Sequence, residues 1–523
     1  MTSPVHQGVF GPHLVANTLS RDPDKSALHF NGEWITRGQV AARTSQFMAA
    51  LGASGLGPGV RIAILSRNRP EVIYSVFAAM FLGAVHAALH PMGSVDDYLH
   101  IVDDAEIDAV IFDSANFADR IRELKERSPR DLKLFALGDC DFAPSLSDLA
   151  IGYDPVPLVA PNLSGDETYK LIYSGGTTGK SKAVQNSYRS NYTTTIIQMA
   201  EWEWPSPPRL LLCAPLSHSG SPMSVPVLMR GGVVHILEAF DPTKVLEAIQ
   251  ELRPNCILLV PTMIYKLLDH PDFDKYDLSS LEVIYYGAST MSVPRLQEGI
   301  RRIGPIFFQF YGQAEAPMTI TILRRSEHLV DDPTRLASCG RPVPWVDVTL
   351  LNDQGEPVPD EEPGEICVRG PLVMSEYLSR PDLTEYTFRH GWLHTGDVAV
   401  RDRDGFLRIV DRSKDMIITG GFNVYSREVE DALGTHPSVS AAAVFGIPDE
   451  KWGELVTAAV SLRVGCAVTA EELMHHVRKL KGPVQTPKRI EFVDQIPVTP
   501  VGKPNKNALR DRFGSREFAR DSS

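Results

Sequence analysis

The sequence predicts an α/β protein of more than one domain, and three observations carry that prediction. Short β-rich apolar runs alternate with helical patterns over the first four hundred residues, the chain is too long for one ordinary core, and the pattern changes near residues 411–415. With 523 residues, 43% hydrophobic and 22% charged, the composition is that of a folded globular chain and not of a disordered one.

The β-rich runs begin at Arg61, Ala109, Leu171, Leu210, Cys256 and Val283. The clearest helix between them has Asp241 as N-cap and Pro242 just inside, with Val245, Leu246, Ile249 and Leu252 at helical spacing. Strands alternating with helices predict a mainly parallel sheet whose ligands sit at the carboxyl ends of the strands. The stretch Val72 to Leu89 is nearly free of charge and about as long as a minimal membrane span, but Gly83 and His86 interrupt it and Pro70 suits a helix start. It is read as a buried helix, a glycine turn and a short strand. Turn-rich stretches lie at Gly152 to Pro161, Trp204 to Pro208 and Asp353 to Gly364, and about 110 residues after Asp411 form a smaller α/β unit.

The formal charge of −13 argues against nonspecific adhesion to nucleic acid, which needs a surplus of Lys and Arg. Six scattered cysteines without a C-x-x-C pair fit neither a disulfide framework nor a zinc site, and a reducing cytoplasm is the expected location. The first residues are read as no secretory leader, the last as no peroxisomal or prenylation tag, and no integral membrane segment is expected.

The strongest local signal is the segment Tyr173 to Val184, directly after an apolar strand. Gly175, Gly176 and Gly179 let the backbone fold around a phosphate, the hydroxyls of Ser174, Thr177 and Thr178 can donate, and Lys180 and Lys182 supply charge. A P-loop is the rival, because Gly179-Lys180-Ser181 matches the end of its motif. That motif needs a glycine five residues before Gly179, where Ser174 stands, so the spacing is wrong. A plain surface loop is the remaining alternative.

The loop resembles the signature of the adenylate-forming superfamily, which includes acyl-CoA synthetases, aryl-CoA ligases, luciferases and nonribosomal adenylation domains. Six further segments match in the family's order. Cys213 to Gly220 resembles the lining of the acyl pocket, with His218, Ser219 and Gly220 there and Tyr286 beside it; Gly287, Ala288 and Ser289 resemble the adenine-pocket turn. Tyr311, Gly312, Gln313, Ala314 and Glu315 resemble the Tyr-Gly-x-Thr-Glu motif, in which the ring lies near adenine and the Glu, with Thr177, holds Mg²⁺. Asp397 and Arg412 would meet the ribose of ATP, Lys414 would be the pivot, and Lys503 the catalytic lysine.

Taken singly each residue has a plain reading: Tyr311 a rim aromatic, His218 a loop histidine, Asp397 a turn residue, Lys503 a surface lysine. Their joint order reverses that. The basic run Arg478 to Lys481 with Lys488 and Arg489 reads either as a solvated helix face or as a coenzyme A phosphate contact.

The resemblance implies a large N-terminal domain of mixed and parallel sheets flanked by helices over residues 1–411, a hinge at 412–415, and a smaller mobile α+β domain over 416–523. It also implies the chemistry. A carboxylic acid attacks the α-phosphorus of ATP, an anion meeting a polyanion, which calls for cations and donors fixed in advance. Rotation of the small domain then withdraws Lys503 and presents Gly420, Gly421 and Phe422 to coenzyme A, whose thiol takes the acyl group.

Three residues depart from the family pattern: Ala314 for Thr, Ser181 for Pro and Ser426 for Pro. Only the first removes a hydroxyl expected at the α-phosphate. Adenylation domains for amino acids carry an Asp just after the acyl-pocket motif, and Ser217 to Met223 contains none, so an uncharged fatty, alicyclic or aryl acid is expected. Coenzyme A is favoured as acceptor over a carrier protein, a nucleotide sensor without catalysis is the reading from another class, and a homodimer is left open.

Overall fold

A computed structural model describes residues 8–174, 181–412, 415–419, 422–449, 452–499 and 504–514, with the side chains of His218, Ser219, Arg412 and Asn423 outside that description. Every statement below concerns the described residues.

Alternation along the strands builds the body of the protein. In Arg61–Leu65, Ile62 and Ile64 face one hydrophobic cluster and Ala63 and Leu65 another, as period-two side chains must. This strand lies within a 7-stranded sheet ordered Glu376–Tyr377, Lys182–Ser187, Thr168–Ser174, Val85–Ala88, Arg61–Leu65, Ala109–Asp113, Lys133–Leu137. A 9-stranded sheet has parallel strands Ser26–Phe30, Val233–Ile236, Arg209–Leu212, Cys256–Leu259, Val283–Tyr286 and Phe307–Gln313, with antiparallel strands at both edges. Leu212 and Leu258 of this sheet join Ile62 and Ile64 in the same cluster, while Leu211, Ile257 and Leu259 face outward under helices Pro242–Leu252, Pro261–Leu268 and Val293–Ile303. The result is five layers: helices, sheet, helices, sheet, helices.

The membrane-length stretch forms the middle layer. Helix Pro70–Leu82 has Pro at its start, ends at Gly83 in the left-handed conformation (φ 68°), and buries eleven of its 13 residues between the two sheets before the strand Val85–Ala88. A helix apolar all round is stable only when enclosed on all sides. No helix is long and apolar enough to cross a membrane.

A third, 4-stranded antiparallel sheet, Asp347–Leu351, Pro363–Arg369, Leu393–Arg401 and Leu407–Arg412, carries the chain to the boundary expected at residues 411–415. Beyond it a 5-stranded sheet packs on helices Ser426–Gly434, Ala470–Gln485 and Lys506–Gly514 around its own clusters, centred on Val444, Val456 and Leu473 and on Phe445 and Phe513. Among its links to the larger part, Arg427 Nη2 donates to the Met291 carbonyl at 3.4 Å. The two large sheets are mainly parallel, as expected from the alternation, and their antiparallel strands stand at the edges. Hairpins such as Thr168–Ser174 with Lys182–Ser187 supply the antiparallel pairs.

Candidate active site

Three of the matched segments leave strands at their carboxyl ends, as expected for an α/β sheet. Ser174 ends the strand before the phosphate loop, Gly287 follows Val283–Tyr286, and Gln313 ends the neighbouring parallel strand. Gly175, Gly176, Thr177, Thr178, Gly179 and Lys180 lie outside the described residues. At the flanks, Ser174 Oγ is buried without a hydrogen-bond partner, and the Ser181 carbonyl lies 2.7 Å from His100 Nε2. A buried hydroxyl with nothing to bond costs free energy that a ligand oxygen can return.

Lys182, Glu315 and Tyr377 meet beside that loop. Lys182 Nζ lies 3.6 Å from Glu315 Oε1 and 3.7 Å from the centre of the Tyr377 ring, and Tyr377 Oη donates to the same Oε1 at 2.7 Å. Burial and the neighbouring Glu315 push the Tyr377 hydroxyl upward from its ordinary range, so it remains a donor. Glu315 Oε2 carries no hydrogen bond to any described residue, which leaves one oxygen of a buried carboxylate for a hard cation. Tyr377 belongs to no motif read from the sequence. It arrives because Glu376–Tyr377 pairs with Lys182–Ser187 at the sheet edge.

The nucleotide segments converge through one short bond. Tyr311 Oη donates to Asp397 Oδ2 at 2.6 Å across 86 positions, and Asp397 faces Arg412 in the adjacent strand. Burial, then Asp397, holds the Tyr311 hydroxyl well above its usual range. A Cβ on Gly287 would meet the Phe310 carbonyl at 2.4 Å, so only glycine lets these strands close up, and Ala288 then takes a left-handed φ of 65°. Ser289 is half-buried in the same turn. Gly312 is equally tight, 2.3 Å from the Met318 nitrogen for an added Cβ. The Ala314 carbonyl accepts from Asn186 Nδ2 at 3.2 Å, while the half-buried Gln313 side chain makes no hydrogen bond to a described residue.

In the acyl segment, Leu216–Gly220 is a single π-helical turn, closed by Gly220 N–H on the Pro215 carbonyl at 3.2 Å. Buried Asn68 holds it in place, donating to the Ala214 and Leu237 carbonyls at 3.0 Å each and accepting from Leu216 N–H at 2.8 Å. An added Cβ on Gly220 would lie 3.1 Å from the Ala214 carbonyl. Tyr286, expected beside this segment in the acyl pocket, is placed otherwise. Its ring is fully buried in the outer cluster under the helices, bonded to His328 Nε2 at 2.9 Å, because position 286 faces away from the middle layer that Tyr285 faces.

Lys503, Lys414, Gly420 and Gly421 fall outside the described residues, but their surroundings do not. Phe422 is 59% exposed. Val498 pairs with Pro504 and Asn505 N–H reaches the Pro497 carbonyl at 2.7 Å, pinning both ends of the stretch that contains Lys503. On either side of residues 412–415, Asp411 accepts from the Ser426 N–H at 2.6 Å and from its hydroxyl at 3.1 Å. Lys506 Nζ adds a bond to the same hydroxyl at 2.5 Å and a salt bridge to Glu430 at 2.9 Å. Proline at 426 could make neither bond to Asp411. Of the basic run, Lys481 pairs with Glu428 at 3.7 Å and Arg489 with Glu491 at 2.7 Å.

A buried carboxylate with a cation beside it and an acid–tyrosine pair, drawn from strands of three sheets next to the segment read from the sequence as a phosphate loop, fit a nucleotide-dependent, acid-activating ligase. The chain matches the family model for AMP-binding enzyme over residues 15–378 and that for the AMP-binding enzyme C-terminal domain over residues 428–503. It belongs to the AMP-binding enzyme family. It is 47% identical over 526 residues to the medium/long-chain-fatty-acid–CoA ligase FadD8 of Mycobacterium tuberculosis, covering 98% of this chain and 91% of that one. A feruloyl-CoA synthase of Amycolatopsis is 34% identical over 494 residues, covering 94% and 96%. Among solved structures, ATP-bound MatB from Rhodopseudomonas palustris has a TM-score of 0.87 at 26% identity, covering 97% and 99%.

Proposed function

We propose that the protein is an ATP-dependent acyl-CoA synthetase for a hydrophobic carboxylic acid, and that the residues gathered around Glu315 and Asp397 hold the nucleotide while the acid attacks it. The observation that carries this reading is that separate strands bring Lys182 to Glu315 and Tyr311 to Asp397, while Tyr311 and Glu315 stand four positions apart at the carboxyl end of Phe307–Gln313. The acid's carboxylate oxygen bonds to the α-phosphorus, the bond to the β-phosphate oxygen breaks, and pyrophosphate leaves. The thiol of coenzyme A then adds to the acyl carbon, losing its proton, and AMP departs with the bonding electrons of the mixed anhydride.

Asp397 accepts the ribose hydroxyls, oriented by Tyr311, and Arg412 lies beside it. The glycine turn at Gly287 to Ser289 receives adenine. Lys182 and the donors of the loop through Thr177 and Thr178 carry phosphate charge, and Lys503 stabilises the charge that grows on the transferring phosphoryl group. Glu315 and Thr177 would hold Mg²⁺, which would supply positive charge against the polyphosphate. The similarity to a fatty-acid ligase supports a chain-like acid, and the similarity to a feruloyl-CoA synthase an aryl one. Six free thiols support a reducing compartment such as the cytoplasm.

The test is pyrophosphate release with a panel of fatty, alicyclic and aryl acids, with and without coenzyme A, and thioester detection by mass. Release with thioester formation is expected. Release without thioester would sink the coenzyme A half, and no release with any acid would favour a sensor.

A further inference from the structure

Gln198 lies on helix Tyr188–Glu201 and is fully buried. Its Nε2 donates to two thioether sulfurs, Met318 Sδ at 3.5 Å and Met223 Sδ at 3.9 Å. Its Oε1 is buried with no hydrogen-bond partner. Thioethers are weak acceptors, so the amide is turned by contacts that return little of its desolvation cost while its strong acceptor is left unfilled.

Two neighbours are in the same condition. Trp202, whose backbone N–H donates to the Gln198 carbonyl at 3.2 Å, has a buried Nε1 without a partner, and Ser224, next to Met223, has a buried Oγ without one. Met318 shows a second, independent sign of a built site. Within the strand Ala316–Leu323 it holds a left-handed φ of 59°, a strained conformation for a long side chain that persists where surroundings over-determine it, as at ligand clamps.

The position is informative. Met223 follows the acyl segment three residues after Gly220, and Met318 packs its backbone against Gly312 of the nucleotide segment. The amide therefore sits between the part assigned to the acid and the part assigned to the adenylate.

We propose that Gln198 is a specificity-determining residue that accepts, at Oε1, a hydrogen bond from a hydroxyl carried on the otherwise apolar body of the acid. The substrate is then a hydroxylated fatty, alicyclic or aryl acid, and the inference rests on the adenylation reading above. A neutral donor suits a neutral acceptor; an ammonium would have to be desolvated there against a single uncharged oxygen. A pocket built to bond a hydroxyl rejects the analogue lacking it far more strongly than an apolar pocket rejects an added hydroxyl, because the orphaned acceptor stays orphaned.

Matched pairs test it: dodecanoate against 12-hydroxydodecanoate, and cinnamate against 4-hydroxycinnamate, each assayed by pyrophosphate release for kcat/KM with the full chain and with Gln198→Met. The wild type is expected to favour the hydroxylated member of at least one pair by roughly tenfold or more, and Gln198→Met to erase that preference by losing activity on that member alone. Preference for the unsubstituted acid in both pairs, or equal loss on both members in the variant, overturns the inference. If Gln198→Met does not fold, the wild-type ratio decides alone. Release from no acid at all overturns the adenylation reading and this inference with it, so the two failures are told apart.

Discussion

A single phenolic hydroxyl joins two nucleotide segments that lie far apart in the chain. Removing it in Tyr311→Phe leaves the ring and takes one bond from a buried carboxylate at 2.6 Å. Bonds to charged groups contribute about 1.5–3 kcal/mol, so KM for ATP should rise about 10- to 100-fold with kcat little changed, read from initial rates of pyrophosphate release. Glu315→Gln should instead lower kcat on the order of 10²-fold, since it removes charge where the polyphosphate reacts, and varying Mg²⁺ should no longer restore the rate. Histidines bear on stability. Burial pulls His235 and His328 down to about 4, and both ring nitrogens of His235 lack hydrogen-bond partners. The unfolded chain takes up protons near pH 6.5 that the folded chain refuses, so stability is full above about 6.5 and falls as the pH drops towards about 4. The urea midpoint should decrease from pH 7 to pH 5. His235→Leu should flatten that decrease without lowering the midpoint at pH 7.

Between elements, the contact of Asp411 with Ser426 decides how the strand before residues 412–415 meets the helix after them. Ser426→Ala keeps the N–H and should cost about 1 kcal/mol, whereas Ser426→Pro loses both bonds to a buried carboxylate and should cost about 3 kcal/mol by urea unfolding. In the sequence Ser426 was legible only as a departure that touches no chemistry; its partner fifteen positions away was not. Contiguous signals fared well. The run at Val283, the N-cap Asp241, which accepts from Lys244 N–H at 2.9 Å, and the helix–glycine–strand unit after Pro70 all read correctly, because their causes are local. Tyr377, Asn186 and Gln198 carried no signal. Each acquires its role from pairing between strands or helices far apart in sequence, and Gln198 reads in isolation as one of several polar residues in a mixed helix. Tyr286 was misplaced for the same reason, since a strand's outward and inward faces are assigned only once the sheet is packed.

At the scale of the whole molecule, the catalytic role proposed for Lys503 requires the smaller C-terminal unit to lie over the larger one. Lys503→Ala should therefore remove adenylation while thioester formation from pre-made acyl-adenylate continues within about threefold of wild type, measured by product mass; equal loss in both steps would contradict this division. The five-layer arrangement has its own consequence, and it concerns the order in which the chain is born. Strand Ser26–Phe30 has its parallel partner in Val233–Ile236, and helix Pro70–Leu82 is enclosed only when both large sheets stand on either side of it. At roughly 5–20 residues per second, the first strand waits about 10–40 s on the ribosome for its partner to be made. From its own synthesis until then, a largely apolar helix lacks the covering of the 9-stranded sheet, so the nascent protein carries exposed apolar surface through a long window.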